Sequence, residues 1–123
     1  MVKVLFVCLG NICRSPLGEA IFRQKVRERG LEKFFKIASS GTSNYHIGDN
    51  ADPRSISVAK SMGISIDHCV SQITEADLNT YDYIVAMDNG NLHNILKLSR
   101  DQKHRARVFL MRDYDPEGKG LEV

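Results

Sequence analysis

The sequence predicts an α/β domain with a doubly wound, four-stranded parallel sheet in three layers. Short apolar runs with no polar face recur along the chain, the pattern of strands buried on both sides. Capped amphipathic stretches separate them in the order β-α-β-α-β-α-β. Such alternation builds parallel sheets through right-handed crossovers, with helices on both faces. A length of 123 residues with 42% hydrophobic content suits one domain with an ordinary core, so residues 1–123 read as a single unit.

Lys3 to Cys8 is rich in Val, Leu and Phe and forms the first strand. Pro16 suits the first turn of a helix whose Leu17, Ala20 and Ile21 share a face, and Gly30 stops that helix near Arg29. Phe34 to Ser39 reads as the second strand, followed by the long polar loop SGTSNYHIGDNAD. Asp52 and Pro53 then give an N-cap and first helical residue for a helix through Ile56, Ala59 and Met62, closed by Gly63. Thr74 with Asp77 forms a capping box for a short helical turn before Tyr81. Tyr83 to Met87 is the third strand, Asp88 caps a helix containing Leu92, Ile95 and Leu96, and Arg107 to Met111 is the fourth strand.

Charge narrows the function. The 17 basic and 15 acidic residues, net +2, are spread along the chain, which gives neither a nucleic-acid stripe nor a polybasic membrane patch. No apolar run approaches the roughly 18 residues of a membrane span, and the first residues lack the marks of a signal peptide. A cytoplasmic monomer with no membrane or nucleic-acid partner is expected. Cys8, Cys13 and Cys69 are odd in number and match neither a disulfide framework nor zinc-binding pairs. They read as reduced thiols, Cys69 as a structural one. His46, His93 and His104 are scattered surface positions, and no metal or cofactor is implied.

The chemistry concentrates where the first strand meets the first helix, in VLFVCLGNICRSP. Ligands of open parallel sheets bind at the carboxyl ends of strands. The first N–H groups of a helix have no intrahelical partners and present the positive end of its dipole to an anion. Neither G-x4-G-K-[ST] nor G-x-G-x-x-G fits LGNICRSP. The remaining pattern is C-x5-R-S. Leu9, Gly10, Asn11, Ile12 and Cys13 can wrap backbone donors around one tetrahedral oxyanion, while Arg14 closes the ring with two parallel hydrogen bonds that a lysine could not supply. A sulfur at the centre of that ring is favoured as a thiolate, a nucleophile aimed at phosphorus.

This loop closely resembles that of the low-molecular-weight protein tyrosine phosphatases. The resemblance takes in SSGTS after the second strand, DPR at residues 52–54, His68, YDYIVAMDNGNL and the YDP at residues 114–116. It implies a two-step hydrolysis of phosphotyrosine in proteins, or of aryl phosphates, through a phosphocysteine on Cys8. Arg14 would bind the phosphoryl oxygens and Ser15 would donate its hydroxyl to the sulfur. Asn11 would hold a left-handed backbone conformation, Ser39 would hydrogen-bond to its side chain, and His68 would join that support. Tyr45 would form a wall of the pocket, Asp88 would lie near the loop, and Cys13 could pair reversibly with Cys8.

The family also uses a proton-donating aspartate in a D-P-Y-Y-G-like segment after the fourth strand, followed by a last helix. Asp115–Pro116 matches instead the earlier Y-D-P turn. The general acid is therefore expected beyond Val123, with residues 1–123 a fragment lacking the acid loop and C-terminal helix. Without positioned proton transfer, rates typically fall about 10²–10⁴-fold. Three rival functions share the loop. Arsenate reductases relay electrons through further cysteines near residues 75 to 90, where this chain has none. Protein-arginine phosphatases typically carry Thr at the place of Ile12. A catalytically impaired phosphate-binding module would capture phosphorylated partners without turnover.

Overall fold

Parallel pairing places the first strand at the centre of the sheet. In the computed structural model, which describes residues 1–12, 14–43, 47–66, 68–98 and 107–111, β1 (Val2–Cys8) pairs with β2 (Phe35–Gly41) on one side and β3 (Tyr83–Ala86) on the other. β4 (Val108–Leu110) pairs with β3, and the strand order is β2-β1-β3-β4. The chain thus moves outward from β1 to β2, then crosses back over β1 to β3. That reversal is a topological switch point, and it opens a crevice at the carboxyl ends of β1 and β3.

Both faces of β1 are apolar because both are covered. Val4, Phe6 and Cys8 join Ile37, Met87 and Val26 of α1 (Arg14–Glu28) on one face. Leu5 and Val7 join Ile84, Ala86, Leu78 of α3 (Glu75–Thr80) and Ile95 of α4 (Asn89–Leu98) on the other. α2 (Pro53–Ser61) is capped by Asp52, whose side chain accepts from Arg54 N. α3 carries the expected capping box, with Thr74 and Asp77 bonded reciprocally. Gly30 and Gly63 stop α1 and α2 in the left-handed region, at φ 68° and 76°.

Several boundaries differ from expectation. β1 starts at Val2, α1 already at Arg14, β3 ends at Ala86 and β4 is confined to Val108–Leu110. A 3₁₀ turn, Glu32–Phe34, precedes β2, which starts at Phe35 and continues to Gly41. Parallel pairing with β1 explains the longer β2: Cys8 stands opposite Gly41. Gly18, a weak helix former, sits where α1 approaches the sheet closely. A Cβ there would lie 3.1 Å from Met87 Cε and 3.4 Å from Phe6 Cδ1.

Candidate active site

Cys8 ends β1 and is buried, with 3% of its surface exposed. Its Sγ lies 3.0 Å from Ser15 Oγ, and Asn11 N donates to it at 3.2 Å. Ser15 Oγ also accepts from Asn11 Nδ2 at 2.8 Å, so its own hydrogen is available to the sulfur. The alternative acceptor, Ser40 O, is farther away at 3.4 Å. Two hydrogen-bond donors are thus directed at the sulfur.

The loop between Cys8 and Arg14 turns on Asn11, which is fully buried and adopts φ 57°. Asparagine tolerates this left-handed region better than most residues, and here its side chain adds long-range anchors. Asn11 Oδ1 accepts from Ser71 N at 3.1 Å and from His68 Nε2 at 2.9 Å. His68 Nε2 also lies 2.9 Å from Asn11 O. Both oxygens are acceptors, which requires the proton on Nε2. Asn50 Oδ1 in turn accepts from His68 N at 3.1 Å.

The expected Ser39–Asn11 hydrogen bond is not formed. Ser39 Oγ donates to Glu19 Oε1 of α1 at 2.7 Å. The reason is strand geometry, since successive side chains face opposite sides of a sheet. Ser39 therefore faces α1, and its neighbour Ser40 meets Ser71, with the two hydroxyls 2.9 Å apart. Asn11 Oδ1 takes its bond from the Ser71 backbone instead.

The rest of the loop is stitched to its surroundings through main chain. Thr42 N donates to Cys8 O at 3.0 Å, Ser43 N to Leu9 O at 2.9 Å and Asp52 N to Ile12 O at 2.6 Å. Leu9 is half exposed at the rim, and Gly10 and Ile12 are partly buried. Gly41 makes the close packing possible: a Cβ on it would stand 2.8 Å from Leu9 O and 3.1 Å from Asn11 N.

Arg14, the first residue of α1, pairs with Asp88 just after β3 across the switch-point crevice, Nη1 to Oδ2 at 2.8 Å. Asp88 Oδ1 meanwhile accepts from Asn91 N at 2.7 Å, capping α4. Burial would raise the Asp88 carboxyl, but hydrogen bonds from Asn91 N and the Arg14 guanidinium, with a further one from Gly90 N, hold it below its ordinary value.

Cys8, Arg14, Ser15, Asn11 and His68 are thus brought together, while Ser39 supports α1. Cys13, Tyr45 and Asp115, expected as loop residue, pocket wall and turn residue, lie outside the described residues. Cys69, expected to be structural, is exposed. Among the described residues no three His, Cys, Asp or Glu side chains gather to hold a metal, and no helix is long and apolar enough to cross a membrane. Sequence reasoning gave no role to Gly41, Ser71 or Asn91. For Asn91 a signal existed, its place three residues beyond the helix cap Asp88.

Known proteins share the sequence pattern and the fold. The family model described as low molecular weight phosphotyrosine protein phosphatase matches residues 3–123. The chain is similar to the low molecular weight phosphotyrosine protein phosphatase of Schizosaccharomyces pombe, 46% identical over 118 residues, or 95% of this chain and 75% of that protein. A protein tyrosine phosphatase from Entamoeba histolytica, solved as a product-state mimic, superposes with TM-score 0.94 at 37% identity, covering 100% of this chain and 78% of that one. A Drosophila arginine phosphatase superposes with TM-score 0.85 at 33% identity, covering 92% and 73%.

Proposed function

The chain belongs to the low molecular weight phosphotyrosine protein phosphatase family, enzymes that hydrolyse phosphotyrosine, and from that premise we propose that Cys8 is its nucleophile and Arg14 its phosphate clamp. The Cys8 thiolate attacks phosphorus, the bond from phosphorus to the phenolic oxygen breaks, and its electron pair leaves on that oxygen. Water then attacks the phosphocysteine, the S–P bond breaks, and thiolate and inorganic phosphate are released. Amides of the C-x5-R loop, with the start of α1, are assigned to the equatorial oxygens as negative charge gathers on them. Ser15 steadies the sulfur both as nucleophile and as leaving group, and Asn11 with His68 keeps the loop in shape.

The observation that carries this reading is the pair of donors on a buried sulfur, Ser15 Oγ at 3.0 Å and Asn11 N at 3.2 Å. Tyr45 is assigned to the wall of the ring pocket. Residues 1–123 are read as one domain, working as a cytoplasmic monomer where thiols stay reduced.

Phosphoarginine is the second substrate to consider, because an arginine phosphatase shares the fold. Ile12 in the loop favours phosphotyrosine. The test is acid quenching during turnover of an aryl phosphate bearing a good leaving group, with a phosphotyrosine peptide and free phosphoarginine assayed in parallel. A phosphorylated Cys8 peptide, absent from Cys8→Ser protein, supports the mechanism. Turnover that survives in Cys8→Ser refutes it, and faster hydrolysis of phosphoarginine would reassign the substrate. Phosphate binding without turnover in the parent chain would mark a binding module.

A further inference from the structure

Asn91 stands in the first turn of α4 with only 3% of its surface exposed. A buried amide needs partners for both its ends. In the orientation that satisfies both, Nδ2 donates to Asp88 Oδ1 at 3.1 Å and Oδ1 accepts from Leu9 N at 3.2 Å. With the backbone bond from Asn91 N at 2.7 Å, one residue supplies two donors to the same carboxylate oxygen. The other oxygen, Oδ2, is thereby turned toward Arg14 Nη1 at 2.8 Å.

Asn91 therefore reaches both ends of the C-x5-R segment. Through Leu9 N it fixes the peptide that follows Cys8, and through Asp88 it fixes the guanidinium that ends the loop. α1 packs on β1 through Val26 and Gly18, and these two bonds add a second tie that sets the guanidinium against the loop that carries the sulfur. A phosphoryl group binds well only if sulfur, loop amides and guanidinium are preset at the right spacing, because reorganising them costs binding energy.

We propose that Asn91 is a positioning residue for phosphate capture, setting Arg14 through Asp88 and the loop through Leu9 N. This rests on Arg14 being the phosphate clamp. It differs from a general packing role in predicting coupling to Asp88 and little effect on the sulfur, whose own hydrogen-bond partners are Ser15 Oγ and Asn11 N.

The test is a double-mutant cycle on the full chain, with Asn91→Ala and Asp88→Asn, alone and combined. Asparagine at residue 88 keeps an N-cap for α4. The readouts are the inhibition constant of inorganic phosphate, KM and kcat for an aryl phosphate, and the rate at which iodoacetamide alkylates Cys8. Asn91→Ala alone is expected to weaken phosphate and raise KM about tenfold, but less than about threefold when Asp88 is already Asn, because contacting residues are non-additive. Cys8 alkylation is expected to change by less than about twofold, since its hydrogen bonds remain.

Should the alanine variant fail to fold, Asn91→Asp keeps an acceptor for Leu9 N and sets a like charge against Asp88. It is then expected to weaken phosphate about tenfold with Cys8 alkylation unchanged. Equal losses in both backgrounds, unchanged phosphate binding, or slowed alkylation that tracks lost thermal stability would overturn the proposal. If Asp88→Asn alone leaves phosphate binding intact, the fault lies instead with the premise that Arg14 is the clamp.

Discussion

The two ends of the C-x5-R loop are built differently. At the sulfur end Cys8, Asn11 and Ser15 are essentially sealed from solvent and joined by short bonds to one another, to His68 and to Ser71. At the guanidinium end the Arg14 side chain is 36% exposed and its partner Asp88 22%. The contrast follows from what each end does. A nucleophile has to be desolvated and fixed before the substrate arrives, whereas a clamp has to keep an open side through which a phosphoryl group enters and leaves. Preorganisation is concentrated where charge is to be held, and solvent access where ligand is exchanged.

If the sulfur end carries most of the preorganisation, substitutions there should cost most. Ser15→Ala is expected to lower kcat about 10²–10³-fold, the range for removing one preset donor from a charged reacting atom, with KM nearly unchanged. Steady-state kinetics on an aryl phosphate makes the comparison. A KM effect in place of a kcat effect would place Ser15 on substrate rather than on sulfur.

Gly41→Ala attacks the same end from below, by pushing a methyl group against Leu9 O and Asn11 N. Overpacking of this kind costs about 1–3 kcal/mol, readable as a lower urea midpoint together with weakened phosphate binding. Unchanged stability would show that the strand shifts away without cost.

At the open end the expected effects are smaller and of another kind. Asp88→Asn frees Arg14 from its carboxylate while keeping the helix cap, so KM is expected to rise about tenfold with a lesser change in kcat. Acid also probes this end. The Asp88 carboxyl is held below its ordinary value in the folded chain, so its stabilising contribution is present above the ordinary aspartate range. It is lost only as pH falls below about 4. The gap in thermal midpoint between parent and Asp88→Asn should hold down to that range and close below it. A gap that closes near neutrality would mean that the bonds from Arg14 and Asn91 do not govern Asp88.

The smallest effect is expected at Cys69, exposed and distant in role from either end. Cys69→Ser should alter stability by less than about 0.5 kcal/mol and leave turnover in place, as thermal melts and rates would show.

The two ends also differ in how far the sequence exposed them. Cys8, Arg14, Ser15 and Pro16 lie within one short stretch whose spacing fixes both strand end and helix start, so their meeting was legible from residue types alone. The alternating order of elements likewise predicted the parallel sheet, and the caps at Asp52 and Thr74 formed as expected. What the sequence hid was register. Whether Ser39 or Ser40 lies against the loop depends on a one-residue shift in β2, which reverses the face of every side chain. Ser71, Gly41 and Asn91 reach the loop only because β1 pairs on both sides and the chain crosses over at the switch point, relations between residues far apart in sequence. The length of β2 was missed for the same reason, since Ser40 and Gly41 are held in the sheet by β1 and not by their own propensity.

The most direct test of the central claim is inactivation by iodoacetate, an anionic alkylating agent that a phosphate-binding loop draws to its sulfur. Rapid carboxymethylation of Cys8, with loss of turnover and protection by inorganic phosphate, is the predicted result. A Cys8 that reacts no faster than the exposed Cys69, or that phosphate does not shield, would contradict the account of a nucleophilic sulfur seated in a phosphate-binding loop.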